Sequence, residues 1–374
     1  MSTTVEQHRE AMEFVDKALV ARQRGQERQH LSFLKRALEL ERAAADQVAH
    51  DVGFEPTRAV LHRSAASIAL DCGELLVAEQ LICRGLLGSP PVEIAEELRD
   101  LLEQVNFRRH LALRGVKLET NEFQMSIAGG DVGFGIAPTN AFVDRVQTTE
   151  KLLYRTAERK AGRPYRERGP APRPFRGELE LYLSVPRAAS LAVSFTMGHK
   201  EQMLLPGLDN SAGVVDELLD CLRLFDQLDE KTLKERIQNP AYYVNFVGLA
   251  RNLAPDGDAV KLVGFTTLRN GSTVEVALKT RQSDVPPQLL GRHPRAGSKP
   301  VRIKGRLSFA DALKHKHQIR LSGTNEIVHV PEGMMDDIVR PMWGAEVVIT
   351  GTKSGNRITL VDIKPAEPEK KTSK

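Results

Sequence analysis

The hydrophobic period of the chain changes near residue 113, and this change constrains the fold more than any other feature. From about Glu6 to Leu113 apolar residues recur at intervals of three and four, as in Leu31, Leu34 and Leu38. Beyond that point, apolar and polar residues alternate in several short segments, which is typical of strands. A chain of 374 residues is also too long for one ordinary core. The sequence therefore predicts a helical region followed by regions that contain sheets.

We expect five consecutive segments that differ in period and composition. They are an all-α domain at 1–113, an α+β domain with a mostly antiparallel sheet at 114–284, a linker at 285–300, a small β-barrel at 301–364 and a disordered tail at 365–374. Proline, glycine and charged residues dominate the linker and the tail, and such residues do not build a core. The predicted fold class is thus multidomain.

A spaced pattern of small and apolar residues occurs twice in the helical region. The clearer copy comprises Ala65, Ala66, Ala69, Leu75, Ala78, Ile82, Gly85, Leu86 and Pro90. A weaker copy, 48 residues upstream, comprises Ala18, Gly25, Leu34, Ala37 and Leu38. The spacing resembles the tetratricopeptide repeat, although the period exceeds about 34 residues and His30 replaces a small alanine. This resemblance implies stacked helical hairpins with a concave surface for a protein partner.

Five predicted strands follow residue 300, and a short helix, GMMDDIVRPMW, lies between the third and fourth. This arrangement resembles an OB-type barrel, with an SH3-like barrel as the alternative. The segments EPTRAVLHRSAASIALDCGE and VPEGMMDDIVRP also resemble a three-part layout that recurs in uncharacterised bacterial proteins. That likeness implies a bacterial cytosolic protein and supplies no activity.

The stretch IAGGDVGFGIAPT raises the question of a nucleotide-binding loop, because glycine-rich loops can hold phosphates. Apolar residues alternate with polar or small ones on both sides of Gly129-Gly130, which predicts a β-hairpin turn. No GxGxxG motif fits, because Pro138 stands where the third glycine belongs, and GxxxxGK[ST] is absent from the chain. The hairpin is therefore the favoured interpretation.

No catalytic residue can be assigned from a motif, since GxSxG, HExxH and HRD-type patterns are absent. A nuclease-like metal centre would need an acidic residue two positions before a lysine on one strand, whereas Lys279 follows Glu275 by four positions. His315, His317 and His329 could share one side of the last domain, but neighbouring lysines would repel a cation. We expect no metal and no cofactor, and the sequence favours a protein without enzymatic activity.

Two groups of basic residues are candidates for binding an anion or a nucleic acid. The first group lies on a predicted helix and the loop after it, and comprises Lys151, Arg155, Arg159, Arg163, Arg166 and Arg168. The second comprises Arg302, Lys304 and Arg306, which would face outward if Val301, Ile303 and Leu307 face the barrel interior. Phe309 and Trp343 are expected in the core, so aromatic platforms for bases are not expected. A solvated charged face is the alternative interpretation.

The leading functional hypothesis is a non-enzymatic adaptor that binds a protein partner through its helical repeats, in a bacterial stress or defence module. The alternative is a nucleic-acid-associated protein that uses the basic groups, and a second alternative is a metal nuclease-like enzyme in the middle domain. The N-terminal residues lack the apolar segment of a signal peptide, and no apolar run approaches the ~20 residues that span a bilayer. We therefore expect a cytoplasmic protein that does not bind membranes.

Overall fold

The structure, a computed structural model, describes residues 2–111, 118, 122–132, 137–183, 191–197, 211–270, 272–286, 289, 299–313, 316–324, 326–355 and 357–366. The chain forms two compact units, Met1–Gly115 and Val116–Lys374. The predicted linker and barrel both belong to the second unit, and their separation into domains stays a prediction. From residue 367 onward, the predicted tail lies outside the described residues.

Helices form the first unit throughout its described part. They are α1 (Ser2–Gln23), α2 (Glu27–Gln47), a 3₁₀ turn (Val52–Phe54), α3 (Thr57–Asp71), α4 (Leu75–Leu86) and α5 (Val92–Leu111). Gly25 and Gly73, which are 48 residues apart, end α1 and α3 with φ of +69° and +80°. After each glycine, the next amide donates to a carbonyl oxygen five residues earlier, at 2.9 Å in both turns. The two helical hairpins therefore turn in the same way.

Small residues allow the helices of the second hairpin to approach closely. Ala65, Ala66, Ala69 and Ala78 are fully buried. A Cβ at Gly85 would lie 2.9 Å from a methyl carbon of Leu98 on α5, so glycine is needed for this approach of α4 and α5. The close-packing positions predicted for this hairpin are thus buried in the helical core.

The second unit begins with an antiparallel sheet and its helices. Its elements are β1 (Glu122–Ala128), α6 (Thr139–Lys160), α7 (Arg173–Glu178), β2 (Leu181–Leu183), β3 (Leu191–Met197), α8 (Ser211–Asp226), α9 (Glu230–Arg236), α10 (Pro240–Leu253), β4 (Leu262–Arg269) and β5 (Ser272–Leu278). The strand order is β2-β3-β1-β4-β5, with every neighbouring pair antiparallel. Helix α8 packs against β4 and β5, and α6 packs against α8 and α10. The α+β architecture and the antiparallel sheet are confirmed.

The glycine-rich stretch forms a tight turn after β1. The amide of Gly129 donates to the carbonyl oxygen of Val132 at 3.0 Å, and the Val132 amide donates back at 3.2 Å. A Cβ at Gly130, where φ is +65°, would lie 1.8 Å from the carbonyl oxygen of Asp258, because the turn sits directly on that backbone. Residues 133–136 lie outside the described residues. The turn is confirmed as far as Val132.

The strand partners predicted for β1 are wrong. The hairpin interpretation pairs β1 with the segment after the turn, whereas β1 pairs with β3 along one edge and with β4 along the other. Both edges are occupied over residues 123–127, so no further strand can join there. The alternation around the glycines predicted the turn correctly, but it could not identify these distant partners.

The C-terminal strands form a closed barrel. They are β6 (Lys299–Leu313), β7 (Lys316–Leu321), β8 (Val328–His329), β9 (Glu346–Ser354) and β10 (Arg357–Pro365), paired in the order β10-β8-β7-β6-β9 with β9 also pairing β10. Only the β8–β10 pair is parallel among these neighbours. A π-helical turn (Met335–Val339) and a 3₁₀ turn (Arg340–Met342) connect β8 to β9, where the sequence predicts a short helix.

The barrel packs tightly against α10. A Cβ at Gly248 would lie 2.3 Å from the Ile338 side chain, and a Cβ at Gly333 would lie 2.3 Å from the carbonyl oxygen of Ala241. The buried apolar side chains of the sheet, its helices and the barrel form one continuous cluster. The barrel therefore packs against α10 through the segment between β8 and β9.

Candidate nucleic-acid interface

Arg155, at the centre of the first basic group, lies inside the protein. Its side chain is 4% exposed, and its Nε donates to Asp337 Oδ2 at 2.7 Å. Its Nη1 donates to the carbonyl oxygen of Arg166 at 2.8 Å and lies 3.3 Å from Glu158 Oε2. The guanidinium thus connects α6 to the segment between β8 and β9.

The electrostatics of this site favour the charged form of Arg155. Burial alone would lower its pKa, but the nearby Tyr165, Asp337 and Glu158 outweigh burial and raise the pKa above its usual value. The guanidinium carbon also lies 4.5 Å from the centre of the Tyr165 ring. A buried cation of this kind needs its anionic partners, so the cluster forms a mutually dependent unit.

The other members of this cluster complete the charge balance. Asn245 Nδ2 donates to Asp337 Oδ2 at 3.0 Å, and Lys151 Nζ donates to the Asp337 carbonyl oxygen at 3.3 Å. Arg166 Nε donates to Glu158 Oε1 at 2.8 Å, and its Nη1 lies 4.0 Å from Asp336 Oδ2. Three of the six residues of the first basic group, Lys151, Arg155 and Arg166, therefore contact groups of the second unit itself.

Arg159 belongs to a separate network between α6, α8 and α9. Its Nη2 donates to Glu217 Oε1 at 2.5 Å, and Arg236 donates to the same carboxylate at 2.7 Å. Burial would raise the pKa of Glu217, but the hydrogen bonds from Arg236 and Arg159 prevail and lower the pKa to about 2. Arg159 is thus engaged with an acidic residue 58 positions later in the chain.

The last two residues of the first group, Arg163 and Arg168, are exposed. The guanidinium carbon of Arg163 lies 5.1 Å from the centre of the Phe175 ring, on the short helix α7. Anion binding by the first group stays a prediction. The contacts described above for Lys151, Arg155, Arg159 and Arg166 are all to groups of the second unit.

The second basic group lies on one outer face of the barrel. Arg302, Lys304 and Arg306 are exposed, while Val301 and Ile303 are half-buried and Leu307 is buried. This is the alternation that the sequence predicts for the first barrel strand. Across the β6–β9 ladder, exposed Glu346 is the register partner of Arg306.

Two aromatic side chains that were expected in the core are exposed instead, so that prediction is wrong. Phe309 is 45% exposed and Trp343 is 57% exposed. Phe309 faces outward because the β6–β7 ladder is interrupted after Leu307, which pairs with Leu321, and resumes with Phe309 opposite Arg320. The extra residue of this bulge reverses the alternation of inward and outward side chains.

Arg320 and the loop that precedes β9 bring these features together. The Arg320 guanidinium carbon lies 5.4 Å from the centre of the Phe309 ring. The residue after Trp343, Gly344, donates its amide to the Leu307 carbonyl oxygen at 3.0 Å and accepts from Arg306 Nε at 2.8 Å. We refer to these exposed residues of β6, β7 and the loop before β9 together as the aromatic–basic face, which comprises Arg302, Lys304, Arg306, Phe309, Arg320 and Trp343.

The residues considered for metal or nuclease chemistry have other neighbours where the structure describes their side chains. The groups of His, Cys, Asp and Glu in the described residues include none that could hold a metal ion. His317 lies near Glu167 and His329 near Gln318, and the side chain of His315 lies outside the described residues. Burial raises the pKa of Glu275, and the backbone amide of Lys279 is bound by Asp226.

Comparison with known protein families, curated proteins and solved structures finds no match to this chain. Among the helices in the described ranges, none is long and apolar enough to cross a membrane. Any functional interpretation therefore depends on the geometry of the chain itself.

Proposed function

We propose that this protein binds nucleic acid through the aromatic–basic face of its barrel. The observation that carries the proposal is the row of three exposed cations, Arg302, Lys304 and Arg306, on alternate positions of β6. Successive outward positions of a strand lie about 7 Å apart, which is close to the spacing of phosphates along an extended nucleic-acid strand. Contacts of this kind displace counterions from the phosphates and supply most of the affinity at low salt.

The barrel face supports this function better than the first basic group does. Arg155 is bound to Asp337 and Glu158 inside the protein, and Arg159 is bound to Glu217. An external phosphate would have to displace these carboxylates from Arg155, which is buried, and from Arg159, which is half-buried. The displaced carboxylates would then lack a positive partner inside the protein, which is unfavourable. On β6, by contrast, Arg302, Lys304 and Arg306 are exposed to solvent.

The topology is compatible with an OB-like barrel, which we include in the proposal. Five strands close in the order β6-β7-β8-β10-β9, the third and the last strands pair in parallel, and helical turns lie between the third and the fourth. Barrels of the OB type commonly bind oligonucleotides on their outer strands. The aromatic–basic face lies on β6 and β7 of this barrel and on the loop before β9.

The proposal is tested by fluorescence anisotropy of a labelled oligonucleotide with the full-length protein, over a series of salt concentrations. The wild type should bind at about 50 mM salt and lose affinity steeply toward about 200 mM. The triple variant R302Q/K304Q/R306Q should bind more weakly, and the slope of log K against log salt should fall by about 2 for three lost contacts to a single strand.

A matched control removes three positive charges from the helical unit. Arg9, Arg28 and Lys35 are exposed residues of α1 and α2, and R9Q/R28Q/K35Q changes the net charge equally while keeping good helix formers. This control should retain the affinity and the salt slope of the wild type. Absence of binding by the wild type at about 50 mM salt, or equal losses in the two triple variants, would refute the proposal.

A second function, binding of a protein partner by the helical unit, is favoured by the repeated hairpin. The similar turns at Gly25 and Gly73, and the close packing at Gly85, are compatible with stacked helical hairpins of a tetratricopeptide-like array. Exposed Leu19 and Leu76 add apolar surface to this unit. Chemical cross-linking of the full-length protein in its host, with mass spectrometry of the linked peptides, tests this candidate. A defined partner linked to α1–α4 would support it, and links confined to the second unit would refute it.

A further inference from the structure

We propose that the ligand of the aromatic–basic face is single-stranded, with unpaired bases stacked on Phe309 and Trp343 while the cations of β6 hold its phosphates. This inference rests on the proposed function and specifies its ligand. Electrostatic contacts alone do not distinguish a single strand from a duplex, because both carry phosphates. Exposed aromatic rings make this distinction, since a base can stack on a ring only when it is not enclosed in a duplex.

The distribution of exposed aromatic residues supports a stacking role. Among the described residues, the large aromatic side chains that are strongly exposed are Tyr182, Phe309 and Trp343. Two of these three lie on the barrel near Leu307, whose carbonyl oxygen accepts from the amide of Gly344. By the strand register, both belong to the end of the row of cations that Arg306 occupies. Exposed rings next to cations are the combination found in surfaces that bind single strands without sequence preference.

The geometry at Phe309 fits a stacked base. The bulge after Leu307 places the ring on the outer face, beside Arg320, whose guanidinium carbon is 5.4 Å from the ring centre. With Arg320 held against the ring, the remaining exposed surface of Phe309 is available to a planar base. The positive charge of Arg320 then lies within reach of the phosphate that follows that base.

Trp343 supplies the second platform. Its loop is anchored to β6 by the two hydrogen bonds of Gly344, to Leu307 and to Arg306. The anchoring matters because a ring on a fixed backbone loses less conformational freedom when a base stacks on it. Arg306 therefore has two roles, since it positions the Trp343 loop and contributes a positive charge.

Removal of the negative charge of Glu346 should strengthen binding, and this tests the role of charge in the direction opposite to removal of the cations. It is exposed and is the register partner of Arg306 on β9, so it opposes the attraction of a phosphate. The variant E346Q should bind a single strand more tightly than the wild type, with the gain largest at low salt. A surface that binds no anion would show no such gain.

The experiment compares a labelled oligothymidylate of about 12 nucleotides with a duplex of the same length, using the full-length protein and fluorescence anisotropy. The variants F309L and W343L each remove an aromatic ring but keep apolar bulk, whereas F309Y keeps an aromatic ring at position 309. Each leucine variant should weaken single-strand binding by about 5- to 150-fold without changing the salt slope, since base stacking on an aromatic ring has that magnitude. F309Y should bind like the wild type.

Y182L is the matched control, because Tyr182 is an exposed aromatic residue on β2, outside the barrel. It should keep the wild-type affinity. Single-strand affinities of F309L and W343L within twofold of the wild type, or a duplex bound as tightly as the single strand, would overturn the stacking inference. If R302Q/K304Q/R306Q still weakens binding in that case, the proposed function survives. A wild type that binds neither oligonucleotide at low salt refutes both.

Discussion

Replacement of Asp337 by asparagine should destabilise the second unit, because Asp337 is the anion that balances buried Arg155. The side chain of Asp337 is 10% exposed, and one of its oxygens accepts from Arg155 at 2.7 Å and from Asn245 at 3.0 Å. In D337N the geometry is nearly kept, but Glu158, which also pairs with Arg166, is the one carboxylate still paired with Arg155 among the described residues. The substitution therefore tests the charge rather than the shape of the site.

The expected loss is about 3 kcal/mol. Breaking a buried ion pair by removing one partner costs roughly 3–5 kcal/mol of unfolding free energy. The cost should lie at the lower end of this range, because Arg155 still has the carboxylate of Glu158 at 3.3 Å. The neighbouring variant D336N is the control. Asp336 pairs mainly with Arg340, which is 72% exposed, so its loss should cost less than about 1 kcal/mol.

Urea unfolding, followed by tryptophan fluorescence, measures this difference directly. The chain has one tryptophan, Trp343, and it lies in the second unit, six positions from Asp337. D337N should lower the urea midpoint by on the order of 1 M relative to D336N. Midpoints that agree closely for the two variants would refute the idea that Asp337 is required by the buried charge. A double-mutant cycle with R155M should also show that the stability losses caused by R155M and D337N are not additive.

Two further predictions concern the turn after β1 and the network around Glu217. Gly130→Ala should destabilise the second unit by at least about 3 kcal/mol in urea unfolding, since the left-handed backbone costs roughly 1–2 kcal/mol and the new Cβ overlaps the Asp258 carbonyl. Gly73→Ala, which has open space around the new Cβ, should show only the backbone cost of roughly 1–2 kcal/mol. Folding lowers the pKa of Glu217 from an ordinary 4.5 to about 2. The contribution of its charge to the free energy of unfolding is therefore complete above about pH 4.5 and is lost as the pH falls through about 2. The stability difference between the wild type and E217Q, up to about 3 kcal/mol at pH 7, should therefore shrink below pH 4.5, and a difference that is constant with pH would contradict this.

Hydrophobic period predicted the helical region and the first barrel strand correctly. Leu31, Leu34 and Leu38, which recur at helical intervals, lie on α2 (Glu27–Gln47). Val301, Ile303 and Leu307, which alternate with cations in the sequence, lie on β6 (Lys299–Leu313). Helix α7 was missed, because six residues are too few to show a helical period. The signal that could have found it is Pro174 in the first turn, a position that favours proline.

The position of the first basic group could be predicted, but its role in the structure could not. Lys151, Arg155 and Arg159 recur at intervals of four, which places them on one side of α6, and nothing nearby in the sequence explains the repulsion between them. The compensating carboxylates are distant in the chain, since Asp337 lies 182 residues after Arg155 and Glu217 lies 58 residues after Arg159. A charge pattern read along one helix cannot identify partners that only the tertiary fold brings to it.

The exposed aromatic residues show a different limit of sequence analysis. Simple alternation along β6 places Leu307 and Phe309 on the same side, so a strand without a bulge would bury both. The bulge puts one extra residue on β6 between the pairs Leu307–Leu321 and Phe309–Arg320, and Phe309 turns outward as a consequence. Leu307 and Leu321 then fill the interior, where both are almost completely buried. The Phe309 ring lies outside this core, and as an exposed ring it is available for contact with a ligand.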